Sequence, residues 1–317
     1  MTMAPRVSLI GGSGQLACAL MQRSGGADAT IVAAGRPRLD ICRAEDVADF
    51  IDATKPDVVI NTAAYTAVDK AESEREAAYA INAQGTLNVA RACAAHGLPL
   101  IHLSTDYVFD GCATKPYGED HPVAPAGVYG ASKAEGERLL RDACERHLIV
   151  RTQWIYSLIG NNFLNTMLRL GAGRDEIRVV ADQIGSPTYA IELADALLML
   201  ARRLANQAAD EAAWGTYHLA GGGATSWYGL ARAIFDIAAT QGLRTPDLVA
   251  IDSSQYPTAA RRPAYSVLDC SHIYRTFDIA LRDWRTGLAD CMSGVGGGEG
   301  TGVLQRGHEA TGGREEQ

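Results

Sequence analysis

The chain has 317 residues, of which 47% are hydrophobic and 21% charged, the composition of a globular protein and not of a disordered one. That length accommodates one large α/β domain or up to two ordinary ones. A net charge of −8 and a pI near 5.4 argue against nucleic acid or an acidic membrane surface as the main partner.

Seven cysteines are scattered (Cys18, Cys42, Cys93, Cys112, Cys144, Cys270 and Cys291). They form no C-x-x-C pair and are odd in number, so they read as reduced thiols of a cytoplasmic protein. The first six residues are too short and polar for a signal peptide, and no apolar run approaches a membrane span.

Val7–Ile10 reads as a buried strand. It runs into Gly11-Gly12-Ser13-Gly14-Gln15-Leu16-Ala17 and then a helical pattern. A strand, a glycine turn and a helix N-terminus make a phosphate-binding element, because the backbone can approach an anion and free N–H groups face it. No G-K-[ST] and no G-x-S-x-G occurs, so neither an ATPase loop nor a hydrolase elbow is present. Thr30–Ala34 predicts a second strand. Basic residues follow it, and Arg36 is placed to meet the 2′-phosphate of NADP, with a solvated loop arginine as the alternative. Asp40 and Ile41 then close the adenine side.

Residues 46–54 predict an amphipathic helix and residues 57–61 a buried third strand, ending in the small residues Thr62-Ala63-Ala64. Residues 68–96 read as one long helix, whose Asn82 and Asn88 are expected to satisfy backbone groups. Residues 98–103 predict a fourth strand, with Thr105 at its C-terminal, ligand-facing end. Tyr129 and Lys133 lie four apart on the next helix and so share a face. A nearby ammonium is expected to favour the phenolate and lower the tyrosine below its usual value of about 10. Residues 148–156 predict a fifth strand. The alternation predicts a Rossmann-type, doubly wound parallel sheet.

After Tyr156 the rhythm changes. Helices are expected over 161–170, 189–204 and 226–240, and short strands at 177–181, 217–219 and 247–251, with Ser226 as a cap. Arg262 sits in a loop that could face an anion. The expected organisation is a cofactor domain over 1–156, rejoined by 187–220. A smaller α/β substrate domain is expected over 157–186 and 221–292. The glycine-rich 293–317 is expected to be a disordered tail.

The glycine turn, Thr105 and Tyr129-x-x-x-Lys133 together resemble the extended short-chain dehydrogenase/reductase family. Longer phrases narrow the resemblance to its dTDP-4-dehydrorhamnose reductases: Asn61 to Glu72, Ser104 to Gly111, Asp182 to Thr188, Arg262-Pro263-x-x-Ser266 and Asp283-Trp284-Arg285. The resemblance spans residues 6–292. It implies NADPH-dependent reduction of the C4 ketone of dTDP-4-dehydro-L-rhamnose to dTDP-L-rhamnose, with NADH as a second possible donor. Thr105, Tyr129 and Lys133 are then the catalytic set. Gly11, Gly14, Gln15 and Leu16 hold the pyrophosphate, and Asp40, Ile41, Ala63, Ala64 and Tyr65 flank adenine and ribose. Asp106, Trp154 and Asn162 become candidates on the sugar or nucleotide side, and Arg262 a partner for the substrate diphosphate. Phe163 reads as packing.

Some members of the family dimerise through magnesium held by glutamates, one of them in the first helix. Here the matching stretch is Ala17-Cys18-Ala19, with no carboxylate, and only Glu192 is a candidate for another of the ligands, so no magnesium-bridged dimer is expected; a monomer or weak homodimer is. Two alternatives stand beside this reading: a reductase of another nucleotide-linked 4-keto-6-deoxy sugar, and a non-catalytic NADP-binding regulatory subunit.

Overall fold

The computed structural model describes residues 4–24, 29–206, 213–293 and 295. The expected tail therefore lies, apart from Ser293 and Val295, outside the described residues. Six strands form one fully parallel sheet: β1 (Arg6–Ile10), β2 (Thr30–Ala34), β3 (Val58–Asn61), β4 (Leu100–Thr105), β5 (His147–Thr152) and β6 (Gly215–His218). Their spatial order is β6-β5-β4-β3-β1-β2, so the direction of winding reverses between β1 and β3. In an open α/β sheet that reversal opens a crevice at the strands' C-terminal ends, where ligands bind. Every residue of β3, β4 and β5 is buried. That is why these strands read as continuous apolar runs and not as alternating ones: helices cover both faces.

One face is covered by α1 (Gln15–Arg23) and the helix Ala190–Asn206. Leu16, Ala17, Ala19 and Leu20 of α1 share a core with Leu193, Ala194 and Leu197, the i, i+3, i+4 spacing of an inward helix stripe. The opposite face is covered by helices Ala44–Thr54, Thr86–Ala95 and Val128–Ala143. A separate core, built from Tyr156, Leu164, Ile177, Leu230, Phe235, Trp284 and Leu288 among others, joins the helices Phe163–Gly173, Trp227–Thr240 and Trp284–Met292. Residues 176–180 and 247–251 pair in parallel beside it. Ser226 caps its helix as expected, accepting from the Gly229 N–H at 3.0 Å.

Two expected elements are broken. The single helix over 68–96 is instead Val68–Ala71, Arg75–Tyr79, a wide π-type turn at Ala80–Gly85, and Thr86–Ala95. Alanine-rich composition gave no warning, because the break is set by tertiary contacts. Asn82 turns to the backbone of Tyr65, accepting from its N–H at 2.8 Å and donating to its carbonyl at 3.1 Å. Asn88 donates to the Ile41 carbonyl at 2.9 Å. Both asparagines thus satisfy backbone groups. The strand expected over 148–156 stops at Thr152, because Trp154 has φ +45°, a left-handed backbone that breaks a strand, and Ile155–Tyr156 pairs instead with Thr188–Tyr189 in a separate two-stranded sheet.

Candidate active site

The first βα turn is held by close backbone approach. Gly11 has φ +98°, and a Cβ there would lie 2.5 Å from the Ala63 nitrogen, so only glycine lets β1 and β3 end side by side. The Gly11 and Gly12 N–H groups donate to the Ala34 carbonyl at 2.8 and 3.1 Å. Helix α1 starts after Gly14 with no side-chain cap and no acidic residue in its first turn. Its leading N–H groups and dipole suit a pyrophosphate. Arg36 is exposed and has no hydrogen-bond or ion-pair partner among the described residues, which fits a 2′-phosphate site. Asp40 accepts from the Cys42 N–H at 3.0 Å, Ile41 is buried, and Ala63 donates its N–H to Asn61 at 3.1 Å. Tyr65 donates its hydroxyl to Glu74 at 2.6 Å, and that hydrogen bond pushes the phenol up to about 12.

Gln15 does more than flank the turn. It donates to the Ile155 carbonyl at 3.1 Å and accepts from Asn162 at 3.2 Å. Asn162 also caps the helix Phe163–Gly173, accepting from the Asn165 N–H at 3.1 Å, and donates to the Ser157 carbonyl at 2.8 Å. Its side chain is thereby occupied in tying the second core to the phosphate turn. Asn162→Ala is expected to cost about 1 kcal/mol of stability, the usual worth of an N-cap, in thermal unfolding. A raised KM for sugar with unchanged stability would instead assign Asn162 to substrate.

Thr105 ends β4 and Tyr129 stands in the first turn of Val128–Ala143. Thr105 Oγ1 accepts from the Tyr107 N–H at 3.2 Å and donates to Asp106 at 3.0 Å. The edge of the Tyr107 ring meets Tyr129 at 5.5 Å. A Cβ on Gly130 would lie 2.0 Å from the Tyr107 carbonyl oxygen, so the glycine in Tyr129-Gly-Ala-Ser-Lys133 is what lets this helix seat against the Thr105 turn.

The electrostatics correct one expectation. The Tyr129 phenol is raised, not lowered: burial dominates, the Thr105 hydroxyl opposes it, and the charge of Asp106 adds to it. Lys133 does not relieve it, because its ammonium end points elsewhere. Nζ donates to the Leu103 carbonyl at 2.7 Å and lies 3.3 Å from His102 Nε2. Burial also pulls Lys133 down to about 8. Sharing a helix face brought the two residues to one site but did not decide where a four-carbon side chain ends. Burial therefore favours the neutral, protonated form of the Tyr129 phenol.

Asp106 is buried, which pushes its carboxyl up to about 6, and its Oδ2 has no hydrogen-bond partner. Next to it lies a residue the sequence reading missed. Gln153 Oε1 accepts from the Ser186 N–H at 3.2 Å and the Ser266 hydroxyl at 3.0 Å, leaving a buried Nε2 unpartnered. The available signal was a lone amide just past the C-terminal end of β5, between Thr152 and Trp154. Trp154 stacks on Trp227 at 3.4 Å with planes 7° apart, and Phe163 packs on the same Trp227 at 4.7 Å. A left-handed backbone on a bulky residue is costly and clusters at functional sites. Arg262 is drawn into a tie between the two halves, donating to Asp69 at 2.5 Å and to the Tyr107 hydroxyl at 3.2 Å.

The model of the RmlD substrate binding domain family matches residues 5–296. A dTDP-4-dehydrorhamnose reductase of Sinorhizobium fredii is 43% identical over 279 residues, covering 88% of this chain and 94% of that protein. The chain belongs to the dTDP-4-dehydrorhamnose reductase family. An Escherichia coli reductase of the same name is 43% identical over 251 residues, 78% of this chain and 83% of its own. The crystal structure of the Bacillus anthracis dTDP-4-dehydrorhamnose reductase in complex with NADP superposes with a TM-score of 0.85 at 37% identity, covering 92% of this chain and 99% of that one. Within this family member, Glu192 is paired with Arg282. No group of three or more His, Cys, Asp or Glu among the described residues could hold a metal ion.

Proposed function

We propose that the protein reduces the C4 ketone of dTDP-4-dehydro-L-rhamnose to dTDP-L-rhamnose with NADPH, and accepts NADH as a second donor. The observation that carries this is the placement of Thr105 and Tyr129 together at the C-terminal end of β4, beside a glycine turn suited to a dinucleotide, in a chain matched to the family from end to end of its folded part. Bound NADPH supplies the hydride. Tyr129 donates its phenolic proton to the sugar oxygen as charge develops there, and Thr105 orients that oxygen. Lys133 and the first-turn residues hold the dinucleotide. Asp106 and Gln153 offer an acceptor and a donor to sugar hydroxyls, and Trp154 a flat face beside them. The seven free thiols fit a reducing, cytoplasmic setting.

The deciding experiment is NADPH oxidation with dTDP-4-dehydro-L-rhamnose and identification of the sugar formed. Turnover only with a different 4-keto sugar would move the reading to a sister activity. Arg36→Ala is expected to raise the Kd of NADPH about tenfold while leaving that of NADH unchanged, since one charge-assisted phosphate contact is worth roughly 1.5 kcal/mol. Equal effects on both dinucleotides would reduce Arg36 to a loop residue.

A further inference from the structure

The C-terminal ends of β4 and β5 carry a concentration of unpaired polar groups. Asp106, Thr152 and Gln153 each stand within one residue of those ends, and Thr105 and Thr152 are paired in register across the two strands. The three are 3%, 4% and 2% exposed. Each keeps one buried polar atom without a hydrogen-bond partner: Asp106 Oδ2, Thr152 Oγ1 and Gln153 Nε2. Elsewhere among the described residues such atoms occur singly. An unpaired buried donor or acceptor is costly, so a cluster of them at the ligand end of a parallel sheet points to a polar ligand group.

Donor and acceptor chemistry fixes what that group must be. The Ser186 N–H reaches Gln153 Oε1 at 3.2 Å, and a backbone N–H can only donate. The Ser266 hydroxyl donates to the same oxygen at 3.0 Å. The carboxamide is therefore oriented, and its free end is the NH₂, a donor only. Asp106 Oδ1 already accepts from the Thr105 hydroxyl at 3.0 Å, so its free Oδ2 is an acceptor. The Thr152 hydroxyl can serve either way and sets no polarity. Ser266 also lies within reach of the Asp106 carboxylate, so amide and carboxylate flank one serine. A hydroxyl satisfies both free ends, because it accepts from Gln153 and donates to Asp106. A CH₂ group satisfies neither. A protonated amine donates to Asp106 but meets Gln153 with a second donor.

We infer that Gln153 is a specificity residue: it reads the hydroxyl on the carbon next to the reacting ketone, and so selects 3-hydroxy sugars against their 3-deoxy and 3-amino counterparts. The choice of carbon rests on the proposed placement of the C4 oxygen at Thr105. Asp106 is bonded to Thr105, so the ligand group it meets lies beside that oxygen. The ring neighbours of C4 in a 6-deoxy sugar are C3, which carries a hydroxyl, and C5, which carries a methyl. Only the hydroxyl answers a donor and an acceptor together. A ligand lacking it shuts water out and leaves the NH₂ unpaired, the situation in which a polar site discriminates most strongly.

The first test needs neither turnover nor a variant. Calorimetric titration of the protein saturated with NADP⁺ gives the Kd of dTDP, of dTDP-L-rhamnose, and of its 3-deoxy and 3-amino-3-deoxy analogues at pH 7. The 3-deoxy analogue is expected to bind about a hundredfold more weakly than dTDP-L-rhamnose, and the 3-amino analogue at least about tenfold more weakly. Equal affinity for the hydroxy and deoxy ligands would overturn the inference. So would an amine that binds more tightly than the hydroxyl, since Asp106 alone would then be reading the position. A rhamnose that adds nothing to the affinity of dTDP would overturn it as well.

The second test is Gln153→Met, which keeps the length of the side chain and removes the amide. The ratio of the two affinities, 3-deoxy over 3-hydroxy, is expected to shrink about tenfold, with the Kd of dTDP unchanged. A purely structural role would weaken dTDP, dTDP-L-rhamnose and the deoxy analogue alike and leave the ratio in place. That result would reduce Gln153 to a tie for Ser186 and Ser266. Where the variant fails to fold, the comparison of hydroxy, deoxy and amino ligands on the parent protein still decides. Loss of the proposed reaction is a separate outcome: a protein that fails to reduce dTDP-4-dehydro-L-rhamnose yet keeps these binding ratios disproves the activity and not the role of Gln153.

Discussion

Replacing Tyr129 by Phe is expected to cut turnover about 10²–10⁴-fold, the usual contribution of a positioned proton donor, while dinucleotide affinity is unchanged. The substitution removes one oxygen. The ring still meets Tyr107 edge-on, the Tyr129 carbonyl still accepts from Ser132 at 2.8 Å, and Gly130 still seats the helix. Because burial keeps the native phenol protonated, the loss should be nearly constant with pH and should not appear only on an alkaline limb. Single-turnover reduction with a fluorescence titration of NADPH separates the two effects. Near-normal turnover would remove Tyr129 from the mechanism and pass its role to another donor.

The largest stability effect is expected at Glu137. Its carboxylate takes two bonds from Arg151, at 2.9 and 2.6 Å, one from the Ser104 hydroxyl at 2.6 Å and one from Arg141 at 2.8 Å. Both Glu137 and Arg151 are fully buried. Burial alone would push this carboxyl up, but the Arg151 guanidinium, with Ser104 and Arg141, overcomes it and holds the group below the ordinary range. The cluster pins the helix Val128–Ala143 to β4 and β5. Glu137→Ala leaves the Arg151 charge buried without its main partner and is expected to cost about 3–5 kcal/mol. In thermal denaturation that corresponds to a fall of roughly 10 °C. A double variant, Glu137→Leu with Arg151→Met, is expected to recover most of the loss, since it removes both charges. A single variant as stable as the parent would show that the pair adds nothing net.

The parallel sheet was legible because its central strands are buried on both faces and therefore read as largely apolar runs. The glycine turn was legible because no other residue passes Ala63 at that distance. The Glu137–Arg151 pair left only a faint mark, an arginine inside the apolar stretch 148–152. His102 left a similar one inside Leu100–Leu103. Charge and histidine in a core strand carry meaning only once their partners are known, and those lie on other elements. The orientation of Lys133 was not legible at all. Helical spacing places a Cβ, while the end of a long side chain goes where the polar groups of the core direct it. The broken helix over 68–96 failed for a related reason: Asn82 is turned by Tyr65, seventeen positions away.

The interleaving of the chain has a consequence for engineering. The edge strand β6 and the helix Ala190–Asn206 return to the sheet only after the chain has built part of the second core. A truncation at residue 156 would strip the hydrophobic cover from α1 and leave β5 as a raw edge, so a free-standing nucleotide-binding fragment cannot be cut from this chain at one point. Recombination with a relative of different sugar preference faces the same obstacle. At least two crossovers are needed, one near 156 and one near 187, and a third near 220 if the segment 221–292 is exchanged as well. The incoming piece must also bring an equivalent of Arg262, or the Asp69 and Tyr107 it inherits are left without the tie that spans the cleft.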